Sequence, residues 1–191
     1  MSFLLEHISV LVVVVPLMAA PVCMFLRNGT ASWAWATGIS VITFALAIVL
    51  IQHVLENGEI IYALGDWAAP WGIIYQIDEI GAFVMLIVSA MAAIALPYAK
   101  QSIEREIPKD RHYLVYCMFL LCMAGLLGMA ATGDAFNLFV FLEVSSLSTY
   151  VLISLDKDRR AIAAALRYLI LGTLGATFYV IGLGMLYQMT G

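Results

Sequence analysis

The sequence predicts an all-α integral membrane protein: a bundle of six transmembrane helices with a short interfacial loop or hairpin between helices two and three. The first observation behind this prediction is composition, because 64% of the 191 residues are hydrophobic and only 12% are charged, about half the charged fraction of a soluble domain. The second is the recurrence of apolar runs of about 18 or more residues, each long enough to cross a bilayer. The lipid bilayer is therefore the expected surrounding, and no nucleic-acid partner is predicted.

Hydropathy divides the chain into six spans within a single membrane domain, residues 1–191. About 20 residues suffice for about 30 Å of hydrocarbon. Two prolines in the first span, Pro16 and Pro21, are expected to kink it. The predicted spans are His7–Leu26, Trp33–Leu55, Gln76–Pro97, Arg111–Ala131, Ala135–Leu155 and Ala161–Tyr187.

The placement of charge orients the chain. All nine lysines and arginines fall on one side of the six-span alternation, after span one, between spans three and four, or around the start of span six. By the positive-inside rule that side is cytoplasmic. We therefore expect a multi-pass protein of the cell (inner) membrane with both termini outside. The nine residues are Arg27, Lys100, Arg105, Lys109, Arg111, Lys157, Arg159, Arg160 and Arg167.

The segment between spans two and three, 56–78, carries acidic residues and no lysine or arginine. Two β-prone pieces, 60–62 and 73–75, flank a turn-rich stretch that contains Trp67 and Trp71. This pattern is typical of a hairpin, with the indoles at headgroup level. An irregular surface loop fits the same residues.

Small residues recur four apart in spans four and six, as Ala124/Gly128 and Gly172/Ala176. This spacing lets helix backbones approach closely in a membrane, so it predicts helix contact. A glycine hinge is the alternative.

Glu143 is the candidate functional residue, because it lies near the middle of span five. An acid at the bilayer centre costs at least ~2.5 kcal/mol, and such residues mark ion or proton paths. Burial disfavours the charged form of a carboxyl group and a nearby cation favours it, so movement of a cation would load or unload a proton. Phe136, Phe139, Ser146 and Tyr150 share its helix face, and the hydroxyls of Ser146 and Tyr150 could hydrogen-bond it. The structural alternative is an acid held neutral by interhelical hydrogen bonds.

Two further charged residues are candidates for the ion path. Asp134, at the outer end of span five, could also simply cap that helix. Arg167 is the one basic residue inside a span, and it either couples to Glu143 or extends to the cytoplasmic surface. His7, His53 and His112 are interpreted as interfacial residues. The alternative is a ligand or a proton relay, above all for His53.

The chain contains no motif of a stand-alone enzyme and no metal-ligand spacing. It therefore predicts no catalytic residue, no metal site and no cofactor of its own. The three cysteines are expected to be free, packed thiols. Whether the chain is part of an enzyme, such as the translocase portion of a larger oxidoreductase, stays open.

The residues from Gly133 to Val144, followed by a serine-rich turn and the stretch 165–170, resemble the antiporter-like subunits of the complex I superfamily, above all the D-type subunit of Mrp-type multisubunit Na⁺/H⁺ antiporters. The outer segment 62–73 fits the same family. The resemblance implies that Glu143 matches an essential glutamate of the fifth helix, which works with a lysine of the seventh helix to gate proton movement. Arg167 falls where the family often has lysine.

The same resemblance implies a bundle of roughly fourteen helices built from inverted repeats. The chain would then be its N-terminal portion, without the lysine-bearing helix. The expected function is participation in proton or monovalent cation/proton translocation together with other membrane subunits. The transported ions would be protons, and also Na⁺ if the chain is part of an antiporter. The alternative is a truncated, non-transporting structural or assembly subunit. The residues do not distinguish an Mrp antiporter from complex I or a hydrogenase.

Overall fold

A computed structural model describes residues 7–67 and 72–190. Within them, six helices are long and apolar enough to span a membrane, which confirms the predicted fold class. A two-stranded hairpin and two short 3₁₀ turns complete the described part. The helices are α1 (Ile8–Leu26), α2 (Gly29–Asn57), α3 (Glu79–Glu106), α4 (His112–Ala131), α5 (Ala135–Ser154) and α6 (Arg159–Thr190), and the strands are β1 (Ile60–Ala63) and β2 (Ile74–Ile77).

The helices α2, α3 and α5 each begin at a side chain that bonds one or two of their first free amides. Asn28 accepts from the Thr30 amide at 3.1 Å and starts α2. Asp78 accepts from the Gly81 amide at 2.7 Å and starts α3. Asp134 does the same for α5. Capping oxygens of this kind satisfy amides that have no partner within the helix.

These caps explain where the predicted spans were misplaced. Span three was predicted over Gln76–Pro97, but Gln76 pairs with Ile61 in the hairpin and the helix starts only after Asp78. The helix also continues through Pro97 to Glu106. At about 42 Å for 28 residues, α3 is longer than the hydrocarbon layer, and its last turns extend into the headgroup region. The first helix, α1, likewise runs through both of its prolines as one helix.

The segment between α2 and α3 is a hairpin, as one of the two interpretations predicted. Its antiparallel register pairs Ile60 with Ile77 and Tyr62 with Tyr75. It is tied to the bundle where the Gly133 amide donates to the Ile74 carbonyl oxygen at 3.0 Å. The Trp67 side chain is 66% exposed, while Trp71 lies outside the described residues.

The helix α4 lies at the centre of the bundle and packs against α1, α2, α3 and α5. Most of its side chains are buried. In contrast, α6 lies at the edge and packs mainly against α5, so most of its side chains are exposed. Bulky apolar side chains such as Leu171, Phe178 and Met185 are more than 60% exposed.

The ends of the bundle differ in charge as the sequence predicts. The hairpin, with Glu59 hydrogen-bonded to Gln76 at 2.6 Å, lies at one end. At the other end, the Lys157 ammonium donates to the Arg105 carbonyl oxygen at 3.4 Å, which joins the α5–α6 turn to the end of α3. The end of α3 and the α5–α6 turn, two of the regions that carry the basic residues, therefore meet at one end.

Candidate functional site

Close packing of α4 against α5 fixes the orientation of α5. A Cβ atom at Gly125 would lie 2.7 Å from the Ser145 amide nitrogen and 2.8 Å from the Phe141 carbonyl oxygen, and a Cβ at Gly128 would overlap the Phe141 ring. These glycines therefore let the two backbones touch, which confirms the predicted helix contact around Gly128.

The serine-rich turn of α5 serves this packing. Ser145 and Ser148 are buried, and their hydroxyls donate to carbonyl oxygens of their own helix, at 3.0 and 2.6 Å. Thr149 does so at 2.8 Å and also lies 3.4 Å from the sulfur of Cys122 on α4. Ser145, Ser148 and Thr149 are thus committed to backbone bonds within α5, and Thr149 also contacts α4.

Glu143 lies on the opposite side of α5, which faces α6. Its side chain is partly exposed and lines an open cleft of about 360 Å³. In the described part of the chain the carboxylate has neither a hydrogen-bond nor an ion-pair partner. The other residues that line this cleft are Phe139, Thr173, Ala176, Thr177, Val180 and Ile181.

Two aromatic contacts join α5 to α6, one on each side of Glu143 along the helix. Toward the hairpin end, the Phe139 and Tyr179 rings stack with centroids 6.3 Å apart, and the Tyr179 hydroxyl donates to the Ala135 carbonyl oxygen at 2.9 Å. Toward the basic end, Tyr150 meets Tyr168 edge to face at 5.2 Å. The cleft lies along α5 and α6 from Thr173 to Ile181, beside the Phe139–Tyr179 contact.

Thr173 and Thr177 are cleft residues that the sequence reasoning missed. Both hydroxyls donate to carbonyl oxygens of α6, Thr173 to Leu169 at 2.9 Å and Thr177 to Thr173 at 2.7 Å. Each oxygen keeps a lone pair that can accept a hydrogen bond from a carboxylic acid or a water. The available signal was two polar residues four apart on an otherwise apolar helix, which places them on one face.

The other predicted ion-path residues do not line this cleft. Ser146 has no hydrogen bond among the described residues. Tyr150 is buried, with its hydroxyl against Gly172, where a Cβ would collide with it. Asp134 caps α5, accepting from the amides of Phe136 and Asn137 at 2.7 and 2.9 Å. Arg167 is exposed, and no ion pair joins it to Glu143 in the described structure.

The three histidines lie apart from the cleft. The His7 Nδ1 is 2.8 Å from the Tyr62 hydroxyl at the hairpin, and the His112 Nε2 donates to the Ile107 carbonyl oxygen at 3.0 Å near the basic end. The Nδ1 of His53 is buried and has no hydrogen-bond partner within the described residues. The histidine relay considered from the sequence stays a prediction for His53.

The fold and this arrangement define the class of the protein. It is a multi-pass helical membrane protein in which a glutamate in the middle of α5 lines a cleft between α5 and α6. Comparison with known proteins supports a specific family. Residues 132–191, which include α5, α6 and the cleft, match the family model described as "NADH:quinone oxidoreductase/Mrp antiporter, TM".

The relatives agree with that match. The chain is 40% identical to NADH-quinone oxidoreductase subunit N of Desulforudis audaxviator, over 97% of this chain and 37% of that protein. It is 31% identical to the D subunit of the Na⁺/H⁺ antiporter of Alkalihalophilus pseudofirmus, over 81% of this chain and 31% of that protein. It also matches a chain in the structure of the membrane-bound sulfane sulfur reductase, an archaeal respiratory membrane complex, with a TM-score of 0.88 and 29% identity, over 97% of this chain and 38% of that one.

Residues 132–191 of the chain therefore belong to this family, and the chain as a whole is similar to membrane subunits of the NADH:quinone oxidoreductase and Mrp antiporter type. The chain spans about a third of the length of the relatives it matches. The resemblance that the sequence motif indicated is therefore confirmed at the level of this family, whose members include both the oxidoreductase and the antiporter relatives.

Proposed function

We propose that this chain forms part of a membrane subunit that takes part in proton or monovalent cation/proton translocation, with Glu143 as the group that binds and releases the proton. The observation that carries the proposal is the position of Glu143 in the cleft between α5 and α6, in mid-helix and without a partner among the described residues. Keeping an ionisable group at this depth is costly. A structural acid would be expected to hydrogen-bond across the helix contact, and Glu143 makes no such bond in the described structure.

The lining of the cleft is suited to proton transfer. When protonated, the Glu143 carboxyl group can donate to a free lone pair of the Thr173 or Thr177 hydroxyl, and when ionised it needs a cation or ordered water. A cation that approaches the cleft would favour the charged form and release the proton. The chemistry required is therefore the binding of a cation coupled to the release of a proton from Glu143, and it needs no cofactor.

The open side of the cleft indicates where the rest of the path lies. Residues of α6 next to it are apolar and exposed, such as Val180 and Ile181, at 36% and 49%. The relatives are more than twice as long as this chain, so further helices of a longer subunit, or other subunits, are the proposed cover. The family resemblance implies that one of those helices supplies a lysine, the natural cationic partner for Glu143.

Arg167 lies outside the Glu143 cleft, so any part it takes in proton transfer is indirect. It lies six residues before Thr173 on α6, about 9 Å along the helix axis, and it is exposed toward the basic end. A direct pair with Glu143 is absent from the described structure. Water between the two would provide the connection if Arg167 takes part in the path.

The proposal is tested by proton flux in vesicles that contain the assembled complex. The Glu143→Gln substitution keeps the size and polarity of the side chain but cannot bind and release a proton. Cation-dependent proton flux should fall to background while membrane insertion is unchanged. Glu79→Gln, which removes an exposed acid from the first turn of α3, is the matched control and should keep its flux within about twofold. Unchanged flux in Glu143→Gln contradicts the proposal and leaves the structural or assembly role.

We further propose that the basic end of the bundle faces the cytoplasm, so that both termini lie outside the cell membrane. The support is the meeting of the end of α3 with the α5–α6 turn at one end and the position of the acidic hairpin at the other, together with the positive-inside rule. A cysteine introduced within residues 101–106 should react with a membrane-impermeant thiol reagent only from the cytoplasmic side. Reaction from the outside in intact cells would reverse this orientation.

A further inference from the structure

A second, polar cavity lies at the basic end of the bundle, far from the Glu143 cleft. It has a volume of about 860 Å³, within the range of about 300–1,000 Å³ that is typical of ligand sites. The turn between α1 and α2 forms one wall, and the end of α3 with the start of α4 forms the other. Its charged and polar lining includes Arg27, Glu104, Arg105, Lys109, His112 and Tyr116.

The charge of this cavity favours an anion. Three cationic side chains and one carboxylate line it, and none of the three cations forms an ion pair within the described residues. The amino-terminal end of α2 opens into the same space through Gly29 and Thr30, and a helix amino terminus carries partial positive charge.

Two nearly buried polar side chains face the cavity with unused hydrogen-bonding capacity. Tyr116 is only 2% exposed, and its hydroxyl has no hydrogen-bond partner in the part of the chain described. His112 is 8% exposed, and because its Nε2 donates to Ile107, its Nδ1 is left for another partner. The Tyr116 hydroxyl is therefore available to donate to an anionic ligand in the cavity.

The position of the cavity indicates which anion. The residues just before Arg27 are apolar and outward-facing, with Met24 50% exposed, Phe25 86% and Leu26 39%. Since an exposed apolar helix end in a membrane protein contacts lipid, the cavity lies where hydrocarbon gives way to headgroups. A ligand there can place a phosphate among the cations and its acyl chains in the adjoining lipid.

We propose that this cavity binds the phosphate headgroup of an anionic phospholipid. Arg27 and Arg105 bind the phosphate oxygens, the α2 amino terminus adds amide donors, and Tyr116 donates from the floor of the cavity. Basic pockets between helices at a membrane surface are suited to such headgroups. The site is independent of the proton path, since none of its residues lines the Glu143 cleft.

Native mass spectrometry of the purified full chain tests the proposal, with phosphatidylglycerol and phosphatidylcholine as the two probes. Wild type should retain phosphatidylglycerol in preference to phosphatidylcholine. The double substitution Arg27→Gln/Arg105→Gln should weaken phosphatidylglycerol binding about tenfold or more, because each lost charge-assisted hydrogen bond is worth about that factor. Arg159→Gln/Arg160→Gln removes two exposed charges from the same end outside the cavity and should leave binding unchanged. Equal binding by both double variants overturns the proposal.

Two further measurements do not depend on the folding of a variant. A photoactivatable phosphatidylglycerol should label wild-type peptides that include residues 24–31 or 104–116, and labelling confined to other peptides contradicts the site. Inorganic phosphate is the competitor that separates a lipid from a free anion. Millimolar phosphate should fail to displace the lipid, because it lacks the acyl chains. Full displacement would reassign the cavity to a free anion and overturn the lipid proposal.

Discussion

The contact between α4 and α5 at Gly125 gives a prediction whose magnitude follows from the structure. A methyl group there would lie 2.7 Å from the Ser145 amide nitrogen, whereas ordinary contact begins at 3.4 Å. The two helices must therefore separate by about 0.7 Å, and the atom that blocks the methyl group is backbone, which cannot rotate away. Overpacking of this kind costs about 1–3 kcal/mol. Alanine recovers only about 1 kcal/mol through its better helix propensity.

The Gly125→Ala variant is accordingly expected to lower the free energy of unfolding by up to about 2 kcal/mol. Gly175→Ala on α6 is the matched control, since a Cβ there meets nothing within 4 Å, and it should be neutral or slightly stabilising. The free energies are measured by reversible unfolding of the purified chain in mixed micelles. If Gly125→Ala proves as stable as Gly175→Ala, the close contact that orients α5, and with it Glu143, is refuted.

Two more predictions concern the hairpin end. Asp134→Ala should lower the free energy of unfolding by about 0.5–2 kcal/mol through loss of the α5 cap. Asp134→Asn keeps the cap and should retain both stability and transport. Loss of flux in the asparagine variant would instead place Asp134 in the proton path. Burial raises the pKa of Tyr75 to about 12, and an unfolded tyrosine ionises near pH 10. The stability linked to Tyr75 is therefore present below pH 10 and lost as the pH rises toward 12. Unfolding measured across this window should show a smaller loss in Tyr75→Phe, and an identical loss would contradict the buried position.

The sequence predicted the features that depend on local chemistry. Six apolar runs became six helices because the backbone in lipid must bond internally. The hairpin followed from two β-prone pieces around a turn, and Gly128 followed from its spacing. The capping role considered for Asp134 is also what the structure shows.

The geometry around Glu143 was harder to predict, because a helix in a bundle within lipid can be apolar on every side. The spacing of apolar residues in α5 therefore does not show which of its faces packs against which helix. Angular spacing placed Ser146 and Tyr150 near Glu143, but it could not show that Tyr150 packs against Gly172 or that Thr173 and Thr177 lie across the cleft. Those contacts depend on how α6 docks on α5, which is a tertiary property.

The central claim is that Glu143 exchanges a proton as the transported cation binds, and infrared difference spectroscopy of the assembled complex measures this directly. The carboxylic C=O stretch of Glu143, assigned by its absence in Glu143→Gln, should disappear when the cation is added and return when it is removed. A signal that stays in one protonation state through a full cation cycle would contradict the account.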